Sequence, residues 1–467
     1  MINLQEKIEK TLIDDPYDFA AESVNGIPLF YKHFPSAPCM HIRIVFRFGA
    51  KHDPVGKEGV AHLVEHMIFK GTDIFDTEKD MENFRKNMTL GTLNAQTAIF
   101  EMVLTANCLP YNLEKTLEGL MSMVLTPKFR DEDFKTEKKI VMDEAWRRFK
   151  NEKQVAYIRK IRNARLSNLP DRLRIVSALG WPETISKIEN TDVKDMYKKY
   201  MVKENISFFM AGNFDLVGKV DGVKKLLETY ISKLPSGSVA DFPYIPGEIS
   251  LPTTQVFDTS YKDAGMSEKK QSSINISCSF PREKKENGAL LSDSESLRIA
   301  HLILACKLID DIIYEKLRMD KGWCYSAGAS FGIDPEFLKL SLGAELNPEH
   351  TEEALQICKD VIDEIKKGMY GERFDQIKTL AIESPLAAER LTGDVISNVV
   401  DDFITENHLF TLKSVLHSYN NVKFEDVVSF LNEYIKPERL FTEILRPTPE
   451  DKKRFGFVSK IKNLFRK

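Results

Sequence analysis

The two halves of this chain of 467 residues repeat one pattern, a short apolar strand followed by a helix that contains an Ala-His-Leu triplet. In the first half, residues 42–48 predict the strand and residues 59–63 the start of the helix. In the second half, residues 273–280 and residues 298–302 repeat that order. A repeat of about 235 residues indicates tandem duplication of one folding unit. The sequence therefore predicts an α+β fold with two homologous domains, each a mixed sheet covered by helices.

A stretch rich in Pro, Gly and Ser separates the two halves, from Leu234 to Pro252, and it shows no helical periodicity. Such composition is typical of a linker between domains. We predict a first domain over residues 1–234, a linker over residues 235–255, a second domain over residues 256–450 and a basic tail over residues 451–467.

Composition narrows the class of protein. Hydrophobic residues make up 42% of the chain and charged residues 29%, as in globular proteins, and the net charge of −4 gives no reason to expect nucleic-acid binding. The first seven residues mix acids and bases, unlike a secretory signal or a transit peptide. The six cysteines are scattered without a C-x-x-C pair, which excludes a thiolate zinc site. We therefore expect reduced thiols and a cytoplasmic location.

His62, Glu65 and His66 form the sequence H-x-x-E-H, the inverse of the commoner H-E-x-x-H signature of zinc proteases. On a helix, the two histidines leave the same face one turn apart, close enough to share one metal ion. Glu65 lies beside them and is placed to take a proton from a metal-bound water. A single helical histidine is usually structural, but this pair with its glutamate favours a zinc site.

The second half lacks these ligands. Residues 303–305, which follow the shared triplet there, are Ile-Leu-Ala where the first half has Val-Glu-His. We therefore interpret His301 as a structural remnant of the duplication and expect one Zn²⁺ per chain.

A catalytic zinc normally has three protein ligands and one open position. The sequence predicts a helix over about residues 133–150, with acids at residues 131–133 supplying capping chemistry at its start. Glu137, Val141 and Glu144 are spaced four and three apart and share one face of that helix. Spacing alone leaves two readings open, a ligand helix and a salt-bridged surface helix.

Residues 59–72 have the sequence Gly-Val-Ala-His-Leu-Val-Glu-His-Met-Ile-Phe-Lys-Gly-Thr, which resembles the active-site segment of the pitrilysin/insulinase zinc peptidases. The closer resemblance is to their short, two-domain branch, which includes the mitochondrial processing peptidase and its bacterial relatives. It implies that a helix of the form E-x-x-x-V-x-x-E completes the zinc site. Glu144 then takes the third ligand position and Glu137 that of an acid behind the ligands. Asp143, on a different face, is the less favoured ligand.

Two further segments resemble this family. Residues 91–97 are similar to its edge strand, whose Asn-Ala pair contacts the substrate backbone, which implies that role for Asn94 and Ala95. Residues 317–326 are similar to a loop with an Arg and a Tyr seven apart, here Arg318 and Tyr325, that holds the peptide near the scissile bond.

The chain departs from the family pattern at three places. They are Gln96, residues 102–104 (Met-Val-Leu) and the pair Trp323 and Cys324. All three are expected in substrate pockets rather than at the metal, so they concern specificity.

The resemblance implies a zinc-dependent endopeptidase that hydrolyses short unstructured peptides or leader segments in a closed chamber. Glu65 would act as the base, and Arg318 with Tyr325 would stabilise the developing oxyanion. The alternative is a non-catalytic partner or scaffold subunit of a heterodimeric processing peptidase. The complete set of His62, Glu65, His66 and Glu144 favours the enzyme.

The resemblance also has a consequence for assembly. Longer family members enclose their chamber with four such domains, and this chain has two. We expect a homodimer in which each zinc site receives Arg318 and Tyr325 from the partner chain, with a heterodimer as the alternative.

Residues 452–467 contain seven Lys or Arg and no acid, with Val458, Ile461 and Phe465 at helical spacing. A basic amphipathic helix on an anionic membrane surface is one reading. A frayed tail, or one docked on the protein, is favoured over it.

Overall fold

The structure is a computed structural model, and it describes residues 3–165, 177–240, 255–282, 292–335 and 337–448. The predicted linker lies mostly outside these residues, and the basic tail lies wholly outside them. The strands are β1 (Ala20–Val24), β2 (Ile27–His33), β3 (Met40–Phe46), β4 (Asn94–Thr97), β5 (Met102–Cys108), β6 (Ile206–Gly212), β7 (Gln255–Ser260), β8 (Ser272–Pro281), β9 (Cys324–Ile333), β10 (Phe337–Leu346) and β11 (Phe441–Arg446).

The α-helices of the first half surround the first sheet and those of the second half surround the second, with two exceptions described below. They are α1 (Leu4–Thr11), α2 (Val60–Ile68), α3 (Glu78–Met88), α4 (Leu113–Leu125), α5 (Asp131–Phe149), α6 (Glu152–Arg165), α7 (Pro182–Ile185), α8 (Asn190–Tyr200), α9 (Lys219–Ile231), α10 (Asp293–Tyr314), α11 (Thr351–Lys366), α12 (Gly371–Ala387), α13 (Thr392–Glu406), α14 (Leu412–Asn421) and α15 (Phe424–Tyr434). None of these described helices combines the length and the apolar character needed to cross a membrane.

The strand order shows the duplication directly. The first sheet has the order β1-β2-β6-β3-β5-β4 and the second the order β7-β11-β8-β10-β9. In each sheet one pair is parallel, β2 with β6 and β7 with β11, and the pairs that follow are antiparallel. Apart from β1, the two sheets therefore match strand for strand. The prediction of two homologous α+β domains with mixed sheets is confirmed.

The predicted strands are in place, with shifted ends. The first begins at Met40 and ends at Phe46, two residues earlier than predicted, and the second gains one residue at each end, Ser272 to Pro281. Side chains of β3 are buried on both faces of the sheet, with Ile44 in the main core of the first domain and Val45 in a separate cluster on the opposite face. Burial of both faces explains why this strand is a nearly continuous apolar run rather than an alternating one.

Each half contributes one helix to the other. The second face of the first sheet is covered by α13, whose Val395, Val399 and Phe403 pack against Val45 and Phe209. In return, α1 packs on the second half, where Ile8 and Leu12 contact Ile382 and Leu416. These exchanged helices fasten the two domains together through buried apolar surface.

A buried group of charges secures the end of α13. Arg282, at the end of β8, donates to both oxygens of Glu406 at 2.7 and 2.5 Å and to Glu295 at 2.9 Å. The side chains of all three residues are at most 4% exposed. Arg298 lies 2.6 Å from the other oxygen of Glu295, so the charges are paired. Removing one partner would leave an uncompensated charge in the interior.

We therefore expect Arg282→Met to lower the free energy of unfolding by about 3–5 kcal/mol, because Glu406 and Glu295 would lose their shared cation. Urea denaturation monitored by circular dichroism measures this change. The matched control is Lys86→Gln, which removes an exposed ion pair with Glu82 and should cost at most about 1 kcal/mol. Equal losses in the two variants would contradict the expectation.

Candidate metal centre

The helix α2 carries the H-x-x-E-H residues, and its start is fixed by backbone geometry. Gly59 at the N-cap has φ of 113°, and a β-carbon there would lie 3.2–3.3 Å from Ile185, Gly180 and Leu179. The N-cap has no side chain to satisfy the first N–H groups of the helix. Asp53 supplies that function, accepting from the backbone N–H of Gly59 and of Ala61, each at 2.7 Å.

The composition of α2 divides it into two faces. Its apolar residues are fully buried in the first-domain core: Val60, Ala61, Leu63, Val64, Met67 and Ile68. His62, Glu65 and His66 are only partly buried and form the remaining face. The helix packs against α5, α8 and the edge strand β4, so this polar face lies between the second ligand helix and the sheet edge.

Three possible ligands converge on that face. The Nε2 atoms of His62 and His66 lie 3.2 Å apart, and the nearer carboxylate oxygen of Glu144 is 3.8 Å from each. Two nitrogens on one tetrahedral zinc, at about 2.0–2.1 Å each, would lie about 3.3 Å apart. Within the described residues, this is the group of three that could hold a metal ion. The donor set and its spacing fit zinc.

Electrostatics favour neutral ring nitrogens, which are the form that binds metal. Burial, together with the neighbouring His66, lowers the pKa of His62 to about 3, so the His62 ring is uncharged at neutral pH. His66 donates Nδ1–H to Glu137 at 2.8 Å, which leaves the Nε2 lone pair of His66 facing His62 and Glu144. This is the carboxylate–histidine arrangement common behind metal ligands.

The helix that carries Glu137 and Glu144, α5, begins earlier than predicted. α5 starts at Asp131 rather than near Asp133, and its N-cap, Arg130, makes no side-chain capping bond. The prediction that the acids at residues 131–133 cap the helix is therefore wrong; they lie in the first turn, where their charge complements the helix dipole. The predicted shared face is present: Glu137 and Val141 are buried and Glu144 is half-buried. Asp143 is exposed, on another face.

Glu65 lies between the metal face and the sheet edge. Burial raises the pKa of Glu65 above its ordinary value, although the neighbouring Thr97 at the end of β4 and His66 oppose the shift. A raised pKa suits a carboxylate that must take up a proton during a reaction near neutral pH.

Asn94 and Ala95 lie in β4, an edge strand of the first sheet. The side chain of Asn94 is exposed, but that of Ala95 is 8% exposed and packs in the core. Only the backbone of Ala95 is therefore available to a bound peptide, whereas Asn94 can offer its amide as well.

Arg318 and Tyr325 lie together in the second domain, at the start of its edge strand β9. Arg318 donates to the carbonyl of Cys324 at 2.9 Å, and its guanidinium lies 5.2 Å from the ring centre of Tyr325. Tyr325 is 80% exposed. In the described part of the chain, no hydrogen bond or ion pair joins this pair to the first domain. His301 lies edge-on to Phe430, a residue of the second core.

Sequence reasoning missed three residues of the site: Asp53, Thr97 and Lys70. Asp53 and Thr97 act through contacts made only after folding, and neither has a signal in the sequence. Lys70 did have a signal in the sequence, because it follows His66 by four residues, which is about one helical turn. It lies 2.9 Å from Glu137.

Comparison with known protein families shows which family this chain belongs to. A model described as insulinase (peptidase family M16) matches residues 29–171, and a model of the peptidase M16 inactive domain matches residues 187–380. Together they span most of the chain. The chain belongs to the M16 peptidase family. The match of the second model agrees with a second domain that lacks ligands.

Several curated relatives of this M16-family chain are named zinc proteases. It is 26% identical to an uncharacterized zinc protease of Rickettsia bellii over 218 residues, 47% of this chain and 50% of that protein. It is 20% identical to the zinc protease PqqE of Helicobacter pylori over 423 residues, 87% of this chain and 88% of that protein. The match thus spans half of the first relative and most of the second.

Solved M16 structures share the two-domain fold. The first half of the periplasmic protease PqqL of Escherichia coli superposes with a TM-score of 0.75 at 16% identity, covering 91% of both chains. A protease of Helicobacter pylori gives a TM-score of 0.74 at 18% identity, covering 92% of this chain and all of that one. Identity this low establishes the fold, and the chemistry must be argued from the residues.

Zinc affinity tests which acid of α5 is the ligand. We expect Glu144→Gln to weaken zinc binding by more than about 100-fold, beyond the 10–100-fold typical of outer-shell partners. Competition with a chromophoric chelator measures the affinity. The matched control is Asp143→Asn, the exposed neighbour, which should bind zinc as the wild type does. A loss in the control and not in Glu144→Gln would reverse the assignment.

Proposed function

We propose that this protein is a zinc-dependent endopeptidase that hydrolyses short unstructured peptides or leader segments in a closed chamber. The observation that carries the proposal is the convergence of His62, His66 and Glu144, with the partly buried Glu65 on the same face of α2. The family relationship supports a peptidase, since its curated relatives are named zinc proteases.

His62, His66 and Glu144 would hold the ion. When bound, zinc supplies Lewis acidity, which polarises the peptide carbonyl and allows water to act as a nucleophile at neutral pH. Glu137 orients the His66 ring from behind through its bond to Nδ1.

We assign the proton transfers to Glu65. As the carboxylate it takes a proton from the attacking water, and as the carboxylic acid it returns that proton to the leaving amine. Glu65 is partly buried, and Thr97 at the end of β4 is its neighbour. The base therefore lies between the proposed zinc ligands and the strand that would hold the substrate.

The substrate would bind as an added strand. β4 is only four residues long and lies at the edge of the first sheet next to α2. An extended peptide can pair with such an edge through main-chain hydrogen bonds, which are independent of sequence. Asn94 would add a side-chain contact to the peptide backbone. A folded protein cannot offer this extended segment, which is why unstructured peptides are proposed.

We further propose a homodimer that completes each site. Arg318 and the exposed Tyr325 lie beside each other, and among the described residues no hydrogen bond or ion pair joins them to the first domain of their own chain. A partner chain would bring this pair to the first-domain site, where both side chains can donate to the developing oxyanion. A heterodimer with another chain is the alternative assembly.

We propose a cytoplasmic location on the basis of the six cysteines, which are all free thiols. None of them belongs to the proposed zinc site, so the proposed chemistry does not depend on the location.

The activity is tested with a library of unstructured peptides, incubated with zinc-loaded protein and analysed by mass spectrometry. We expect the wild type to cleave the peptides. Glu65→Gln should lower the rate of cleavage by about 10²–10⁴-fold while it still binds zinc, because the base is lost. Glu82→Gln, an exposed change on α3, is the matched control and should cleave normally. A folded, zinc-loaded wild type that cuts nothing would favour the partner-subunit alternative.

The dimer is tested by mixing two inactive variants. Glu65→Gln lacks the base, and the double variant Arg318→Ala, Tyr325→Phe lacks the pair supplied by the partner. If each site combines the first domain of one chain with the second domain of the other, a 1:1 mixture regains about one quarter of wild-type activity, because half the dimers are mixed and have one intact site. No recovery after subunit exchange, or full activity in a species of monomer mass, would refute the assembly.

A further inference from the structure

Lys70 follows α2 and is fixed at a short distance behind the proposed zinc ligands. Its Nζ atom lies 2.9 Å from one oxygen of Glu137, whose other oxygen accepts the Nδ1–H of His66 at 2.8 Å. On its outer side Nζ is 2.7 Å from Glu78. The chain of contacts thus runs from the surface to a metal ligand.

Burial distinguishes the two carboxylates. Glu137 is 3% exposed, whereas the side chain of Glu78 is 79% exposed and that of Lys70 is 17% exposed. The ion pairs that Glu137 makes in the described residues are with His66 and Lys70. A carboxylate removed from water needs a cation or several donors to remain ionised. His66 must stay neutral to bind metal, so Lys70 is the cation available for this purpose.

Backbone and side-chain contacts position the chain on both sides of Lys70. Its N–H donates to the carbonyl of Met67 at 3.1 Å, which continues the last turn of α2. Gly71 has φ of 118° and reverses the chain. Thr72 is fully buried and donates its hydroxyl to Ser122 at 3.2 Å. Lys70 is therefore placed by the fold rather than by its ion pairs alone.

The duplicated half offers an internal comparison. Counting from the shared Ala-His-Leu triplet, the position of His66 is Ala305 in α10 and that of Lys70 is Ile309. Ile309 is fully buried among apolar residues of the second core. The copy that lacks metal ligands therefore also lacks the lysine, as expected if the lysine serves the ligands.

We propose that Lys70 is a positioning residue for the metal site: its ammonium holds the buried Glu137 carboxylate in place, and Glu137 in turn fixes the His66 ring so that Nε2 faces the metal. This inference rests on the proposed zinc site. Lys70 touches neither substrate nor metal, and it acts through Glu137. Its contribution is metal affinity, through a ligand oriented before the ion arrives.

The test measures zinc dissociation constants by chelator competition, with the absorption spectrum of the cobalt-loaded protein as a second readout. Lys70→Met, of similar length and without charge, should weaken zinc binding about tenfold, the lower end of the range for outer-shell partners. It should also alter the cobalt spectrum, because the His66 ring is less constrained. Lys70→Arg, which keeps the cation, should recover most of the affinity. Thermal unfolding of the metal-free proteins checks folding, and Lys70→Gln replaces Lys70→Met if that variant does not fold.

Two comparisons separate this role from a general stabilising ion pair. Glu78→Gln removes the outer partner of Lys70 and should leave zinc affinity unchanged. In a Glu137→Gln background, Lys70→Met should weaken binding no further, because the pathway is already broken.

The results that would contradict the role of Lys70 differ from those that would contradict the zinc site itself. Wild-type zinc affinity in Lys70→Met, or an equal loss with and without Glu137, overturns the role of Lys70 while the zinc site stands. A wild type that binds no zinc overturns both.

Discussion

The contact between α2 and α5 is the interaction on which the rest of this structure depends. His62 and His66 come from one helix and Glu144 from the other, so the candidate metal site forms only where the two helices pack. Val141 and Ala145 of α5 and the apolar face of α2 are fully buried in the same core. Each buried Val, Leu, Ile or Met side chain contributes about 1.5–3 kcal/mol, so core packing, rather than the metal, holds the ligands together. A site preformed in this way loses little freedom when it binds an ion.

The two domains share one fold but differ in their candidate functional residues. Both halves place a helix beside an equivalent sheet, but the second helix has Leu304 and Ala305 where the first has Glu65 and His66. The second half presents Arg318 and Tyr325 at its edge strand, and its helix α13 covers the first sheet. One copy thus carries the proposed chemistry, and the other supplies interdomain packing and the proposed contacts to substrate.

Much of the fold and the metal face followed from local patterns. Apolar runs predicted β3 and β8 within two residues, and the helical spacing of His62, Glu65 and His66 predicted their shared face. Spacing on α5 left Glu144 undecided between ligand and surface acid, because a helix face does not reveal what packs against it. The contacts of Asp53 and Thr97 could not be predicted from local patterns, since each partner lies on a separate element or beyond a turn. The position of Lys70, one helical turn after His66, was a signal, but it did not reveal that Lys70 reaches Glu137 on α5. The packing of α1 on the second domain and of α13 on the first sheet could not be predicted either, because an apolar helix face does not specify which sheet or helix it packs against.

The central claim is that the α2–α5 contact holds a zinc ion. The most direct measurement is X-ray diffraction from crystals of the zinc-loaded protein at wavelengths on both sides of the zinc absorption edge. The account predicts one anomalous peak per chain, within bonding distance of His62 Nε2, His66 Nε2 and a carboxylate oxygen of Glu144, about 2.0–2.2 Å. An ordered α2–α5 contact without a peak, or a peak bound by other residues, would contradict it.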